Sequence, residues 1–237
     1  MTTLDSIRQL FDFLKRQDRH VLTEPESKKI LASVGIPITK EAMARDVDET
    51  QEFAMEIGLP VVLKIVSPQV LHKSDSGGVK TNLQSIESIR QAYFEIVENV
   101  KKLNPSSDIE GVLVQEMLPP AIETILGVTN DDQLGPVMMF GLGGIFVEIL
   151  QDVTYRIIPV NKDIVIEMLG EIKGKKIFSG FRSFPAIEED CLADVIIKLS
   201  DFSFEFKDYI QEIDINPLHC NGNKIKAMDA LIILKRN

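Results

Sequence analysis

The segment Val61-Val62-Leu63-Lys64-Ile65-Val66 is an apolar run that contains a single lysine. A short apolar run rich in β-branched residues is typical of a buried strand. An ammonium group inside such a strand loses several kcal/mol of solvation free energy unless an anion lies beside it. The segment therefore predicts one of two partners for Lys64: a carboxylate on a neighbouring strand, or an anionic ligand.

A glycine pair follows this strand, in Ser76-Gly77-Gly78-Val79-Lys80. Because glycine has no Cβ, two adjacent glycines allow backbone N–H groups to approach a phosphate closely. Gly-Gly is a weak signal by itself, but the strand lysine before it favours a phosphate site over an ordinary ion pair. His72 lies between the two features, where an imidazole would reach the same phosphate; the alternative is an ordinary loop histidine.

Helix and strand patterns alternate through the first half of the chain, and strand patterns dominate after Pro105. Helices are predicted at 4–14, 23–35, 48–58, 86–103, 162–171 and 187–202, the second of which opens with the capping box Thr23-Glu24-Pro25-Glu26. Strands are predicted at 61–66, 78–83, 111–117, 122–129, 137–140, 146–150 and 154–160, and a final hairpin pairs 209–217 with 224–234 around Asn221-Gly222. This order predicts an α/β (α+β) protein of two lobes, residues 1–110 and 111–237, with a cleft between them.

A second glycine-rich segment, Phe140-Gly141-Leu142-Gly143-Gly144-Ile145-Phe146-Val147-Glu148, superficially suggests a dinucleotide-binding loop. Such a loop follows the first strand and opens a long helix, whereas strand-like residues flank these glycines on both sides. The Gly-Lys-Ser/Thr of a phosphate-binding P-loop is also absent from the sequence. Neither of these two common nucleotide folds is therefore predicted.

The composition indicates a folded globular protein without a surface for nucleic acid or for a membrane. The chain has 36 acidic and 26 basic residues, a formal charge of −10, and its Lys/Arg clusters are no longer than pairs. Its apolar runs are far shorter than the roughly 20 residues that span a bilayer. Cys191 and Cys220 lie far apart and no secretory leader is visible, so we expect reduced thiols in a cytoplasmic protein.

The final hairpin carries a line of polar residues. Glu212, Asp214 and Asn216 alternate with isoleucines, so a strand would place all three on one face. A two-residue turn at Asn221-Gly222 would set Asp214 directly opposite Asp229. Like charges in that position are destabilising unless a cation lies between them, and oxygen ligands of this kind suit Mg²⁺. The face therefore predicts a magnesium site; the alternative is a solvated outer face.

Together these segments resemble the ATP-grasp fold, and more closely the nucleotide-binding β subunit of ADP-forming acyl-CoA synthetases, relatives of succinyl-CoA synthetase. The resemblance runs from about Leu22 to Leu234, and it is carried by 60–65, 72–79, 123–128, 135–144 and 214–218, together with Asp229. It implies a two-lobed protein that binds ATP or ADP in the cleft. Residues 1–110 would be the N-terminal helix and the small lobe, and 111–237 the large lobe with the metal-binding hairpin.

The resemblance also implies a role for particular residues. Lys64 would contact the ATP phosphates, which would be covered by Ser76, Gly77, Gly78 and Val79. Adenine would be received by Gln115, Glu116 and Met117. Glu123 would occupy an acidic position beside the nucleotide. Asp214, Asn216 and Asp229 would bind Mg²⁺, His72 would be a second phosphate carrier, and Arg156 would contact phosphate. The Mg²⁺ assignment agrees with the polar face of the hairpin.

The activity implied is transfer of a phosphoryl group between a phosphohistidine and ADP or ATP, within the reaction acyl-CoA + ADP + Pi = acid + ATP + CoA. A CoA-binding domain is not visible in the sequence, so we expect a separate α subunit that carries CoA and the primary phosphohistidine, in an α2β2 assembly. Two alternatives remain: a non-catalytic subunit that senses ATP, and a stand-alone ATP-grasp carboxylate ligase. The acyl group is not predicted.

Overall fold

The computed structural model describes residues 2–70, 73–144, 151–182 and 184–236. The helices are α1 (Thr3–Arg16), α2 (Glu24–Ser33), α3 (Val47–Ile57), α4 (Ile86–Leu103), α5 (Lys162–Glu171) and α6 (Glu189–Glu205), with a short 3₁₀ helix at Lys175–Ser179. The strands are β1 (Glu41–Ala44), β2 (Val61–Val66), β3 (Val79–Leu83), β4 (Gly111–Glu116), β5 (Ile122–Asp131), β6 (Gly135–Leu142), β7 (Val153–Ile157), β8 (Ile210–Asn221), β9 (Lys224–Ala227) and β10 (Leu231–Leu234). Among the helices described, none is both long and apolar enough to cross a bilayer.

The described residues form two compact units. Thr39–Pro119 make one, called the inserted unit here, and the segments before and after it make the other, the main unit. This division differs from the predicted boundary between residues 110 and 111. The N-terminal segment belongs to the main unit because Leu22 N donates to the carbonyl of Ile232 (3.0 Å), and β4 belongs to the inserted unit because it pairs with β1 and β2.

The inserted unit is an antiparallel sheet of four strands in the order β1-β4-β2-β3. All six residues of β2 are buried, as the apolar run predicted. One face of α4 adds Ile89, Ile96 and Val100 to the core cluster that includes residues of this sheet. The short strand β1 was not predicted, because Glu-Ala-Met-Ala has no strand pattern of its own and is ordered by pairing with β4.

Helix starts are set by side-chain caps. The capping box predicted at Thr23 is confirmed, since Thr23 N donates to the Glu26 carboxylate at 2.8 Å. Helix α3 begins one residue before the predicted Asp48, because Asp46 is the cap and accepts from the N–H groups of Asp48 and Glu49. Gly58, in the positive-φ region (98°), ends it as predicted.

The main unit contains a sheet with the strand order β10-β8-β5-β6-β7, and β9 also pairs with β8. β8 is the longest strand and contacts β5 along one edge and β9 and β10 in succession along the other. The core of this unit includes Phe11 of α1 and Phe206 after α6, both fully buried, with ring centroids 5.4 Å apart in an edge-to-face arrangement.

The register of the final hairpin differs from the prediction. Asn221 pairs with Lys224, so the turn is Gly222-Asn223 rather than Asn221-Gly222. Gly222 has φ 62° at the first central position of this turn, a conformation that glycine adopts without steric cost. The register is continued by β10, where Leu231 lies opposite Asp214. The prediction that Asp229 lies directly opposite Asp214 is therefore wrong.

Two predictions concern residues that lie outside the described ranges. The strand predicted at 146–150 lies outside the described residues, as does His72. Residues 36–38, which follow α2, do not form a strand, although Ile38 makes an isolated parallel bridge with Ala227.

Candidate functional site

Lys64 lies in the middle of β2 and is 7% exposed. The residues directly opposite it are Val79 on β3 and Leu113 on β4, both apolar. The carboxylate expected as an alternative partner is therefore not in a directly opposed position. Because Lys64 is buried on this strand, any electrostatic interaction that its ammonium makes is stronger than it would be in water.

The glycine loop before β3 is closed by its own hydrogen bonds. Gly77 N donates to the carbonyl of Ser74 (3.0 Å), and Gly78 N donates to the carbonyl of Lys73 (2.8 Å). The hydroxyl of Ser76 donates to the Lys73 carbonyl as well, at 2.9 Å. A phosphate that bound here would compete with these carbonyls for the two glycine N–H groups, so the expectation that both are open donors does not match this conformation.

Close packing gives a second reason for the glycine pair. A Cβ at Gly78 would lie 2.6 Å from Cγ2 of Ile65, and a Cβ at Gly77, where φ is 62°, would lie 2.9 Å from Nδ2 of Asn99. The Asn99 amide donates to the carbonyl of Gly77 at 3.3 Å. Helix α4 therefore holds the loop through Asn99, a residue for which the helical pattern predicts no role.

The segment predicted to receive adenine lies at the end of β4. Gln115 is fully buried, and Glu116 makes a reciprocal pair with Lys40: Glu116 N donates to the Lys40 carbonyl at 2.9 Å, and Lys40 N donates to the Glu116 carboxylate at 2.7 Å. Met117 N donates to the carbonyl of Pro60 at 3.3 Å. The N–H groups of Glu116 and Met117 are thus already bonded, and an adenine ring would have to use other backbone atoms or displace these bonds.

Glu123 is exposed near the start of β5 and lies next to the second glycine-rich segment. Gly143 N donates to the Glu123 carbonyl at 2.8 Å, and a Cβ at Gly143 would lie 3.0 Å from the Glu123 carbonyl carbon. These glycines therefore allow a close backbone contact with β5. A small open pocket of about 170 Å³ adjoins them, lined by Ala121, Ile122, Glu123, Leu142, Gly143, Gly144, Ile177 and Phe184.

The predicted metal ligands lie on β8 and in the connection from β9 to β10. Ile213 and Ile215 are buried whereas Asp214 is half-buried and Asn216 is exposed, so the alternation of the two faces is confirmed. Burial first, and then the negative charges of Glu212 and Asp229, raise the pKa of Asp214 to about 6. Asp229 is therefore close enough for its charge to act on Asp214, although the two are not opposite each other.

This donor set fits a hard divalent cation. Two carboxylates and an amide supply the oxygen ligands that Mg²⁺ accepts, and a cation would favour the ionised form of Asp214 that burial and its neighbours disfavour. Within the described residues, no group of three or more His, Cys, Asp and Glu side chains is arranged to hold a metal ion. The expected set has only two carboxylates and would need an amide and solvent or a ligand to complete it.

Arg156 on β7 forms a bidentate ion pair with Glu171 of α5. Its Nη2 lies 2.6 Å from Oε1 of Glu171 and its Nη1 lies 3.0 Å from Oε2. The Thr154 hydroxyl donates to the same carboxylate at 2.5 Å. Hydrogen bonds from Arg156 and Thr154 lower the pKa of Glu171 to about 2. The guanidinium therefore links β7 to α5. Its predicted contact with phosphate would require it to bind the phosphate and the Glu171 carboxylate at the same time.

Comparison with known proteins identifies the class of the chain. The family model described as the ATP-grasp domain matches residues 13–234. The chain belongs to the ATP-grasp family, and the α/β fold expected from the resemblance is confirmed.

Its relatives define the branch within that family. The chain is 43% identical over 234 residues to the β subunit of ADP-forming acetate–CoA ligase I of Pyrococcus furiosus, an alignment that covers 99% of this chain and 100% of the relative. The structure is similar to that of the dinucleotide-forming acetyl-coenzyme A synthetase 1 of Candidatus Korarchaeum cryptofilum in complex with coenzyme A, Ca-AMPCP and HgCl⁺, with a TM-score of 0.92, 45% identity and coverage of 96% of this chain and 99% of that one. The resemblance to β subunits of ADP-forming acyl-CoA synthetases is thus confirmed.

A second structure of the Korarchaeum enzyme contains coenzyme A and Mg-AMPPCP, with a phosphohistidine segment that points towards the nucleotide-binding site. Its TM-score is 0.82 at 42% identity, with coverage of 96% of this chain and 99% of that chain. In that relative, therefore, a magnesium nucleotide and a phosphohistidine segment occur together.

Proposed function

We propose that this chain is the nucleotide-binding β subunit of an ADP-forming acyl-CoA ligase of the acetate–CoA ligase type. It would transfer a phosphoryl group between a phosphohistidine and ADP, within the reaction acyl-CoA + ADP + Pi = acid + ATP + CoA. The observation that carries the proposal is full-length similarity to a protein of that name, 43% identical over 100% of the relative.

Lys64 is the residue that we assign to charge neutralisation in this transfer. A migrating phosphoryl group is stabilised mainly by cations and positioned donors, with little covalent help from the protein. Lys64 is 7% exposed, and burial away from water strengthens the interaction of an ammonium with an anionic group. Lys64 would hold the terminal phosphates of the nucleotide in a fixed position.

The metal would be Mg²⁺, held by Asp214, Asn216 and Asp229. When bound, it would neutralise the charge of the phosphate oxygens. The chain's own contribution is to hold oxygen donors on a rigid strand, with Asp214 half-buried on β8. The raised pKa of Asp214 means that binding of a cation would be coupled to loss of a proton from this carboxyl near pH 6.

The remaining assignments complete the nucleotide site. Ser76–Val79 would cover the phosphates, Gln115–Met117 would receive adenine, and Glu123 would lie on the nucleotide side. Covering the phosphates with glycine N–H groups requires the loop to exchange its bonds to Ser74 and Lys73 for bonds to the ligand. Arg156 would contact phosphate while it remains paired to Glu171, and His72 would be a second phosphate carrier.

The partner that we propose is a CoA-binding α subunit that carries the primary phosphohistidine, in an α2β2 assembly in the cytoplasm. The name of the Pyrococcus relative as a β subunit supports a separate α subunit. Because CoA and the acid would bind largely on that subunit, the acyl group is set by the partner rather than by this chain.

The test is reconstitution with the α subunit. The mixture of both chains with ADP, phosphate and a series of acyl-CoA esters is expected to form ATP, and either chain alone is not. Absence of ATP from the complex with every acyl-CoA would refute the proposal. Nucleotide binding without ATP formation would instead indicate a sensor subunit, and acyl-CoA formation from acid, CoA and ATP by this chain alone would indicate a stand-alone ligase.

A further inference from the structure

Helix α2 carries an ion pair in the interior of the main unit. The Lys28 ammonium and the Glu24 carboxylate lie 3.6 Å apart, and their side chains are 0% and 1% exposed. Moving two charges out of water costs free energy that their attraction repays only in part, and apolar residues of similar volume are often as good for stability. Stability of the helix alone therefore does not explain why this buried ion pair is present.

The ammonium of Lys28 also donates to the main-chain carbonyl of Met228, at 3.1 Å. Met228 directly precedes Asp229. The paired register with β8 ends at Ala227 and resumes at Leu231, so Asp229 lies in a connection between two paired stretches. A hydrogen bond from a buried ammonium to this carbonyl is charge-assisted and therefore stronger than a bond between neutral groups.

Neighbouring bonds hold both ends of the same connection. Ala227 N donates to the carbonyl of Pro37 (2.9 Å), and Met228 N donates to the carbonyl of Pro217 (3.0 Å). On the far side of Asp229, Ile232 N donates to the hydroxyl of Ser27 at 3.1 Å. Ser27 and Lys28 are consecutive residues of α2, so one turn of this helix fixes the backbone before and after Asp229.

We propose that Lys28 and Glu24 are positioning residues for Asp229. Lys28 holds the Met228 carbonyl, Glu24 holds the Lys28 ammonium in the protein interior, and the connection that carries Asp229 is thereby fixed in position. This role rests on the proposed function in one respect, the assignment of Asp229 as a metal ligand. Residues that orient a metal ligand without touching the metal typically contribute 10–100-fold in metal affinity.

The double variant Glu24→Gln/Lys28→Met tests the proposal on the full chain. It removes the donor to Met228 and both charges of the pair together, and methionine fills the volume of the lysine stem. Lys29→Met, at an exposed position of the same helix, is the matched control. We expect the dissociation constant for Mn²⁺, measured by electron paramagnetic resonance of the free ion, to rise about tenfold or more in the double variant and to stay unchanged in the control.

A second measurement does not depend on metal. Hydrogen exchange of the amides of Met228 to Ala230, measured in the metal-free protein, is expected to be faster in the double variant than in the wild type and the control. Mn²⁺ affinity and exchange rates equal to those of the wild type would overturn the positioning role. If the double variant does not fold, Glu24→Gln/Lys28→Gln takes its place, because glutamine is polar and too short to replace the lysine donor. Its Mn²⁺ affinity and its exchange rates then decide in the same way.

The variant Asp229→Asn distinguishes failure of the positioning role from failure of the proposed metal site. A large loss of Mn²⁺ affinity in Asp229→Asn together with wild-type affinity and exchange in the double variant would overturn only the role of Lys28 and Glu24. Wild-type Mn²⁺ affinity in Asp229→Asn would overturn the metal assignment itself, and the positioning role with it.

Discussion

Replacing Asp214 by asparagine should change how the stability of the metal-free protein depends on pH. The pKa of Asp214 is raised from 3.8 to about 6 by burial and by the charges of Glu212 and Asp229. The folded state therefore holds a proton on Asp214 at pH values where the unfolded chain has lost it, so the free energy of unfolding falls as pH rises from about 4 to about 6. Above about pH 6 the full free-energy cost of ionising Asp214 in the folded state is present.

The size of the effect follows from the shift. About two pKa units at about 1.4 kcal/mol each correspond to a cost of at most about 3 kcal/mol above pH 6. Asparagine has no such titration, so the difference in the free energy of unfolding between Asp214→Asn and the wild type should grow in favour of the variant by up to that amount between pH 4 and pH 7.

Urea denaturation of metal-free protein across this pH range measures the difference directly. Asp131→Asn is the control: hydrogen bonds from Leu134 N and Gln133 N lower the pKa of Asp131, so above about pH 5 this residue is ionised in the folded and in the unfolded protein and its difference from the wild type should be flat. Parallel pH profiles of Asp214→Asn and the wild type would refute the reasoning. A saturating divalent cation should flatten the wild-type profile, because it favours the ionised form of Asp214.

Three further predictions concern other parts of the site. His72→Ala should abolish phosphorylation of this chain by radiolabelled ATP while Mg-ATP binding is nearly unchanged; equal phosphorylation would return His72 to an ordinary loop residue. Lys64→Met should lower the rate of ATP formation by the reconstituted complex at least about 100-fold with little change in melting temperature, and a wild-type rate would remove Lys64 from the site. Gly78→Ala should cost about 1–3 kcal/mol of stability in a thermal melt, because its Cβ would meet Ile65 at 2.6 Å; wild-type stability would show that the loop relaxes freely.

The sequence predicts well those elements that are determined by neighbouring residues in the chain. The apolar run around Lys64 is a buried strand, and the caps at Thr23 and Gly58 are where the residue types require them. Alternation along Glu212–Asn216 correctly gives the two faces of β8, because side chains in a strand alternate whatever the partner.

The rest depends on contacts that leave no local pattern. The hairpin register could not be predicted because Asn221-Gly222 and Gly222-Asn223 are both acceptable turns, and the choice moves the partner of Asp214 from Asp229 to Leu231. In the sequence Lys28 looks like a solvated helix residue, but it is fully buried and donates to the distant Met228. Contacts of the same distant kind, such as that between Leu22 and Ile232, join the N-terminal segment to the main unit.

The discontinuity of the main unit has a consequence for biosynthesis. Its N-terminal segment is made first and its last strand, β10, is made last, yet Leu22 and Ile232 are directly hydrogen-bonded. On the ribosome, α2 therefore meets β10 only after β10 has emerged, whereas every residue of Thr39–Pro119 is available earlier. Because Ser27 and Lys28 of α2 bond to the backbone on either side of Asp229, newly made chains should acquire the metal affinity that we propose after the inserted unit has formed.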